Sequence, residues 1–408
     1  MTRLVSAPWV LLGAPARAGA APLALRNGAV ALDGDTVVAV GQAAELTARF
    51  GAPERLDSVL LPALVNAHLH LELSHLAGAV PGGGGLPAWI EALVRARLAA
   101  DAARAAPAMA RAAAQMVEAG VAAVGDVSNT LDSLAPLTAA GLSGTIFHEV
   151  FGADPARLAA TRDAARARRA AVPPGGPLRV VESPHAVYST DPAGLLELLS
   201  GPPASLHLAE DPAEREFVAS GGGPFAALRA RMGGPPGRPG WARSPMALAA
   251  PHLTAGWLAV HLVDLDEADL VALAGCGATA VLCPRSNLQI GGSFPALPSL
   301  LAARIPLAIG TDSLASSPSL APLAELAALQ AAFPGVPASA LLPLAWNGAA
   351  VGAPGVGRLA PGAAPGLLAA PLGGAHVHDP FLFLVTGPAP LGRRVEWLSR
   401  HRPEPTTA

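Results

Sequence analysis

Val59-Leu60-Leu61-Pro62-Ala63-Leu64-Val65-Asn66-Ala67-His68-Leu69-His70 decides the fold. An apolar run over 59–66 is followed at once by two imidazoles. From there onward short apolar runs alternate with longer Ala/Leu/Arg stretches of helical character. The runs are 59–66, 121–126, 144–150, 178–183, 204–208, 257–261, 279–283 and 306–310. The helical stretches are 86–100 with 102–119, then 131–140, 155–171, 192–199, 212–220, 267–274, 297–303 and 318–333. Strands that alternate with helices demand a parallel sheet, and eight such pairs predict an α/β fold, a (β/α)8 TIM-like barrel, over 58–350. The Gly/Pro-rich stretch 221–245 has no clear element and reads as an insertion.

The flanks have a different rhythm. Residues 1–57 are short apolar runs between Gly and Asp turns. Asn27-Gly28 reads as one hairpin signal and Asp33-Gly34-Asp35 as a second. After Ala350 the pattern returns to short strands at 367–369, 381–385 and 395–398 between Gly and Pro. The expectation is a small β-sandwich domain built from both chain ends, 1–57 and 351–408, with the barrel inserted into it.

The composition excludes several functions. Of 408 residues, 51% are hydrophobic and only 14% charged, the opposite of a disordered chain. A net charge of −3 gives no electrostatic footprint for nucleic acid. All 27 basic residues are Arg. Without Lys there is no Schiff base, no P-loop and no carbamylated lysine bridging two metals. Cys276 and Cys283 are too few for a disulfide framework and read as buried free thiols. No apolar stretch is long enough, without interruption, to span a membrane. Val5 to Gly13 and the small residues near Ala18–Ala21 faintly resemble a signal peptide, but Pro8, Pro15 and Arg17 interrupt it. A cytoplasmic protein with a small-molecule substrate is therefore expected. The sequence does not choose between a monomer and a homo-oligomer.

Four expected strand ends carry metal-ligand chemistry. His68 and His70 are two apart, so they share one face of a strand. His207 closes Ser205-Leu206-His207, His261 closes Ala259-Val260-His261, and Asp312 follows Ile309-Gly310-Thr311. At the C-terminal mouth of a barrel such residues converge. Imidazoles with one carboxylate suit a divalent ion, Zn²⁺ or Fe²⁺ alike. Each residue alone would be a satisfied polar group at a strand end or a turn; together they predict a metal site. His376 and His378 form another His-x-His, but they follow Gly373-Gly374 and read as a solvated pair.

The chain resembles the amidohydrolase superfamily, in its deaminase/chlorohydrolase branch. The resemblance rests on Leu64-Val65-Asn66-Ala67-His68-Leu69-His70, His207-Leu208-Ala209-Glu210, Cys283-Pro284-Arg285-Ser286-Asn287 and Gly310-Thr311-Asp312-Ser313. It implies that His68, His70, His207 and Asp312 hold one metal ion. It further implies that Glu210 shuttles a proton and that His261 bonds the reacting oxygen. The implied reaction is attack of metal-activated hydroxide on a ring carbon bearing an amino group, with Asp312 taking the water proton and ammonia leaving. His70-Leu71-Glu72-Leu73-Ser74, Leu86-Pro87-Ala88-Trp89-Ile90 and Ser316-Ser317-Pro318 narrow the resemblance to aminodeoxyfutalosine deaminases, which act on the 6-amino purine of a modified nucleoside. His185, in Pro184-His185-Ala186, would then contact substrate. Glu72 would bond a ribose or purine edge, or orient His70; Trp89 would stack on substrate, or pack in the core. The alternatives are adenosine, S-adenosylhomocysteine, guanine or cytosine deaminases, triazine-type chlorohydrolases and a catalytically retired barrel scaffold. The usual C-terminal Pro-Gly-Lys-x-Ala-Asp pattern is lost: Pro361-Gly362-Ala363-Ala364-Pro365 has neither the Lys nor the Asp.

Overall fold

A computed structural model describes residues 2–14, 24–386 and 395–402. The signal-like small-residue run near Ala18–Ala21 lies outside them. Two four-stranded parallel sheets form the centre. One contains Leu64–Leu69, Val121–Ser128, Ser143–Val150 and Leu178–Pro184. The other contains Ser205–Leu208, Leu258–His261, Thr279–Leu282 and Leu307–Ile309. Their edges meet twice, in parallel bridges between Ala186 and His207 and between Leu69 and Asp312. The backbone N–H of His207 donates to the His185 carbonyl (3.0 Å), and those of Thr311 and Asp312 donate to the His68 carbonyl (2.9 and 3.1 Å). The result is a TIM-barrel-like α/β arrangement.

Most of these strands are buried on both faces, as expected when helices cover a parallel sheet, while Leu178–Pro184 is only half-buried along its middle. Helices follow most strands, and several begin with a capping Asp and a Pro in the first turn: Asp154 before Pro155–Ala170, Asp191 before Pro192–Leu199, Asp211 before Pro212–Ser220. Each Asp accepts an otherwise orphan backbone N–H. Gly310 is required by close approach. A Cβ there would lie 2.7 Å from the His68 Cβ, so glycine lets the last strand reach the first.

Both chain ends build one hydrogen-bonded sheet of seven strands, not two separate sheets. Its path runs Glu396–His401, Pro365–Pro371, Ser58–Pro62, Arg3–Leu11, Ala24–Asp33 and Thr36–Gln42, with Glu54–Arg55 also paired to Arg3–Leu11. Asp33 pairs with Thr36 across Gly34-Asp35, which is the second expected hairpin. Asn27-Gly28 is no hairpin. It lies inside Ala24–Asp33, where Asn27 adopts a φ of 50°. The expected strand 59–66 is two strands: Ser58–Pro62 joins the terminal sheet and Leu64–Leu69 opens the parallel one. Residues 381–385 lie in a helix, Pro380–Thr386, whose buried Phe381, Leu384 and Val385 follow helical spacing. The 221–245 stretch contains the helix Gly223–Arg231. Cys283 is buried, Cys276 is partly buried, and both thiols are free. His376 and His378 are exposed in a loop. No helix among the described residues is long and apolar enough to cross a membrane.

Candidate active site

The ends of the parallel strands bring the expected ligands together. Ligand atoms of His68, His70 and His207 lie within 4.8 Å of one another. The His70 and His207 Nε2 atoms are 3.1 Å apart. The Asp312 Oδ1 lies 3.6 Å from the His70 Nε2 and 4.0 Å from the His68 Nε2. Glu210, His261 and Asp312 form an adjoining group, with the Glu210 Oε2 3.4 Å from the His261 Nε2.

Backbone strain accompanies this convergence. Ala209, His261, Leu262 and Asp312 have φ values of 52°, 78°, 55° and 55°. Left-handed backbone at non-glycine residues costs about 1–3 kcal/mol each and is kept where the surroundings over-determine it. The surroundings here are specific. Ser286 and Ser316 both donate to the Asp312 Oδ2, at 2.5 and 2.9 Å, which leaves Oδ1 for the imidazoles. The Asn287 amide is hydrogen-bonded to the His261 Nδ1 at 3.0 Å, which fixes the ring with its Nε2 facing Glu210. Asn66 exchanges two hydrogen bonds with Thr311 and ties the first strand to the last. Glu214 accepts the backbone N–H groups of Glu210 (2.7 Å) and Ala209 (3.3 Å).

Burial sets the protonation states. It lowers the pKa of His68 and His207 well below the ordinary imidazole value, with neighbouring imidazoles adding to the effect. His185 falls to about 3 and His261 to about 4, again mainly through burial. Neutral imidazoles are the form a metal binds. Burial also raises the Glu210 carboxyl well above its ordinary value, and the nearby charges of Asp312, Glu214 and Asp211 push the same way. Glu210 therefore keeps its proton to higher pH than an ordinary glutamate. Burial would raise Asp312 too, but His70, His261 and the Ser286 hydroxyl hold it below the usual carboxylate range.

The cluster fits a metal. Both ring nitrogens of His68 are buried without a hydrogen-bond partner, an expensive arrangement that a cation would relieve. The donors are imidazole nitrogen and carboxylate oxygen, as a divalent transition metal requires.

A cavity of about 540 Å³ opens beside the cluster, lined in part by His70, Glu72, Glu149 and His185. His185 lies on the cavity wall, with Nδ1 bonded to the Ser189 hydroxyl at 2.6 Å. Glu72 also lines it, but its carboxylate is already engaged. It accepts from the Ser128 hydroxyl, the Asn129 N–H (2.9 Å) and both the N–H (3.0 Å) and hydroxyl (2.7 Å) of Thr130. Burial opposes its charge, yet these donors outweigh burial and hold its pKa low. Trp89 is buried in the main apolar core and lies off the cavity wall. Glu149 carries no motif that marks it in the sequence. It is buried at the end of Ser143–Val150, its Oε1 3.5 Å from the His207 Nδ1. Its signal was the same one used elsewhere: a polar residue at the end of an apolar run.

Residues 59–377 match the amidohydrolase family, and residues 28–52 match the bacterial imidazolonepropionase-like composite domain. The chain is 31% identical to the aminodeoxyfutalosine deaminase of Deinococcus radiodurans over 351 residues, 79% of this chain and 80% of that one. It is 29% identical to a 5-methylthioadenosine/S-adenosylhomocysteine deaminase of Syntrophobacter fumaroxidans over 313 residues, 72% and 66% of the two chains. Its fold overlays that of Helicobacter pylori aminofutalosine deaminase in complex with methylthio-coformycin, with a TM-score of 0.82, 21% identity and 97% of each chain covered. The site and these relationships agree: the chain belongs to the amidohydrolase family and is a hydrolase of C–N bonds.

Proposed function

We propose that this enzyme removes the 6-amino group of a purine nucleoside as ammonia, with aminodeoxyfutalosine as the substrate. The observation that carries the reading is the pairing of two features. Three imidazoles and a carboxylate converge around the partnerless His68 nitrogens, and the buried Glu210 carboxyl stands 3.4 Å from His261. Cluster and acid together suit addition of water to an electron-poor ring carbon followed by loss of an amine. The D. radiodurans relative supports the substrate. The S. fumaroxidans relative favours a second reading, an adenosine bearing a 5′-thioether.

The roles follow from placement. His68, His70, His207 and the Asp312 Oδ1 would hold one divalent ion, zinc or iron. When bound, that ion supplies water activated for attack at neutral pH. Asp312, pinned through Oδ2 by two serines, would accept the water's proton and pass it to the departing amine, which leaves as ammonia. Glu210 gives its proton to the ring nitrogen beside the reacting carbon. His261 directs its Nε2–H at the oxygen that gains charge. His185 contacts the substrate from the cavity wall. Glu72 organises the loop 128–130 that closes one side, and Trp89 supports the helix behind it. We take the eight parallel strands as a closed (β/α)8 barrel set into a small domain of both chain ends, with the chain crossing between them near Ala63.

The experiment is ammonia release from aminodeoxyfutalosine, 5′-methylthioadenosine, S-adenosylhomocysteine, adenosine and guanine, with metal content measured on the same sample. Turnover of a 6-aminopurine nucleoside by protein carrying about one metal ion per chain is expected. Metal-loaded protein that releases ammonia from none of them removes the proposal.

A further inference from the structure

Behind Asp312 stands an acid that the chemistry does not use. Glu325 lies on the helix Pro322–Ala332 and is fully buried. Its Oε2 accepts the backbone N–H of Arg285 (2.9 Å), one of the first-turn donors that the helix Pro284–Gly291 leaves without an internal partner. Its Oε1 lies 3.2 Å from the Ser317 hydroxyl, which also bonds the Ser319 carbonyl (3.1 Å). The Arg285 guanidinium stands 3.6 Å from the same Oε1 and donates to the Ser319 hydroxyl (3.0 Å). Burial pushes the Glu325 carboxyl up to about 8, and Arg285 and the hydrogen bonds oppose the rise. A buried acid is costly unless its partners offset the burial, and the polar partners of Glu325 come from two segments, the start of Pro284–Gly291 and the turn 317–319.

The same two segments pin the carboxylate of the ligand cluster. Ser286 follows Arg285 and Ser316 precedes Ser317; both bond the Asp312 Oδ2, and their hydroxyls lie 2.8 Å apart. Asn287, one residue further along the helix, bonds the His261 Nδ1. One side chain therefore grips the sequence neighbours of the residues that orient Asp312 and His261. Both of these have left-handed backbone, which persists only where the surroundings hold it. We propose that Glu325 is a positioning residue: it clamps the start of Pro284–Gly291 to the turn after Asp312, so that Ser286 and Ser316 aim Asp312 at the metal and Asn287 aims His261. This rests on the metal-dependent hydrolase reading. Two grips fix the register between the segments, whereas one would let them slide past each other.

The test uses protein loaded with cobalt(II), whose visible absorption reports the number and arrangement of ligands on the ion. Glu325→Ala loses both grips. Its cobalt spectrum should shift, and cobalt affinity or kcat per bound cobalt should fall about 10- to 100-fold, the usual effect of losing a group that orients metal ligands, with KM within a few-fold of wild type. Glu325→Gln keeps both grips, since its carbonyl accepts the Arg285 N–H and its amide donates to Ser317; it should restore the wild-type spectrum and most of the rate. If the Ala variant does not fold, Glu325→Asp, one methylene short of spanning the two segments, takes its place with the same expectations. A lower melting temperature with an unaltered spectrum and unaltered kcat per bound cobalt makes Glu325 a support of the fold alone and overturns the inference. A Gln variant as impaired as Ala overturns it as well. Cobalt-loaded wild-type protein that turns over no aminopurine nucleoside removes the deaminase reading but leaves the spectral comparison standing. Wild-type protein that binds no cobalt removes both.

Discussion

Glu210→Gln is the sharpest test of the chemistry. The substitution keeps the shape of the side chain but removes a proton that can be given away. Glu210 sits beside the ligand cluster, not in it, and its backbone is fixed from behind by Glu214 (2.7 Å). The variant should therefore fold, keep its metal and bind substrate with KM changed only a few-fold. Loss of a positioned general acid–base group lowers kcat by a factor on the order of 10²–10⁴. At 1.36 kcal/mol per tenfold, that is about 3–5 kcal/mol of barrier.

The pH profile adds an independent readout. Burial raises the Glu210 pKa first, and Asp312, Glu214 and Asp211 add to it. The active form is protonated, so wild-type kcat/KM should fall on the alkaline side, above the ordinary glutamate range, as Glu210 loses its proton. In Glu210→Gln that alkaline limb should vanish along with most of the rate. The assay is initial-rate ammonia release across pH with metal content determined in parallel. Activity within tenfold of wild type, or an alkaline limb that persists in the variant, would refute the proton-donor role.

Two further outcomes are expected. Ser286→Ala removes one of two donors to the Asp312 Oδ2 (2.5 Å) and should cost about 10- to 100-fold in metal affinity or activity, the usual effect of losing a group that orients a ligand; competition with a chromogenic chelator measures it, and unaltered affinity together with unaltered kcat would show that Ser316 alone suffices. Glu214, pushed from 4.5 to about 8 mainly by burial, keeps its proton longer in the folded state than in the unfolded one. Its cost to stability is absent below pH 4.5, grows through that interval and levels off above about 8, reaching about 5 kcal/mol at 1.36 kcal/mol per pH unit. Glu214→Gln should therefore be more stable relative to wild type at pH 8 than at pH 5. Any constant contribution of the amide cancels in that difference. Denaturant midpoints at the two pH values check it, and a gap that does not change with pH contradicts it.

The sequence revealed the site where one local signal carried enough information. His68, His70, His207, His261 and Asp312 each follow or close an apolar run, and a polar residue there must face the end of a buried strand. Glu149 obeys the same rule, but no recognised motif surrounds it. Four kinds of feature are not written in the local pattern. Pairing partners are not written locally: nothing in 59–66 says that its two halves join different sheets, which is decided by Trp9 beside Val59 and Gly120 beside Leu64. Short apolar runs do not choose a period, so 381–385 passed for a strand. Asn27-Gly28 reads as a turn signal, although the positive φ at Asn27 serves within a strand. The helix Gly223–Arg231 is masked by Gly and Pro at both ends, and it contributes Phe225 and Leu228 to the cavity wall. Strand ends are similar because catalysis needs them aligned on one centre. The helices over the cavity answer to the substrate instead, and nothing in the strand periodicity constrains them. The part of the chain least readable as fold is thus where the choice of nucleoside should be encoded.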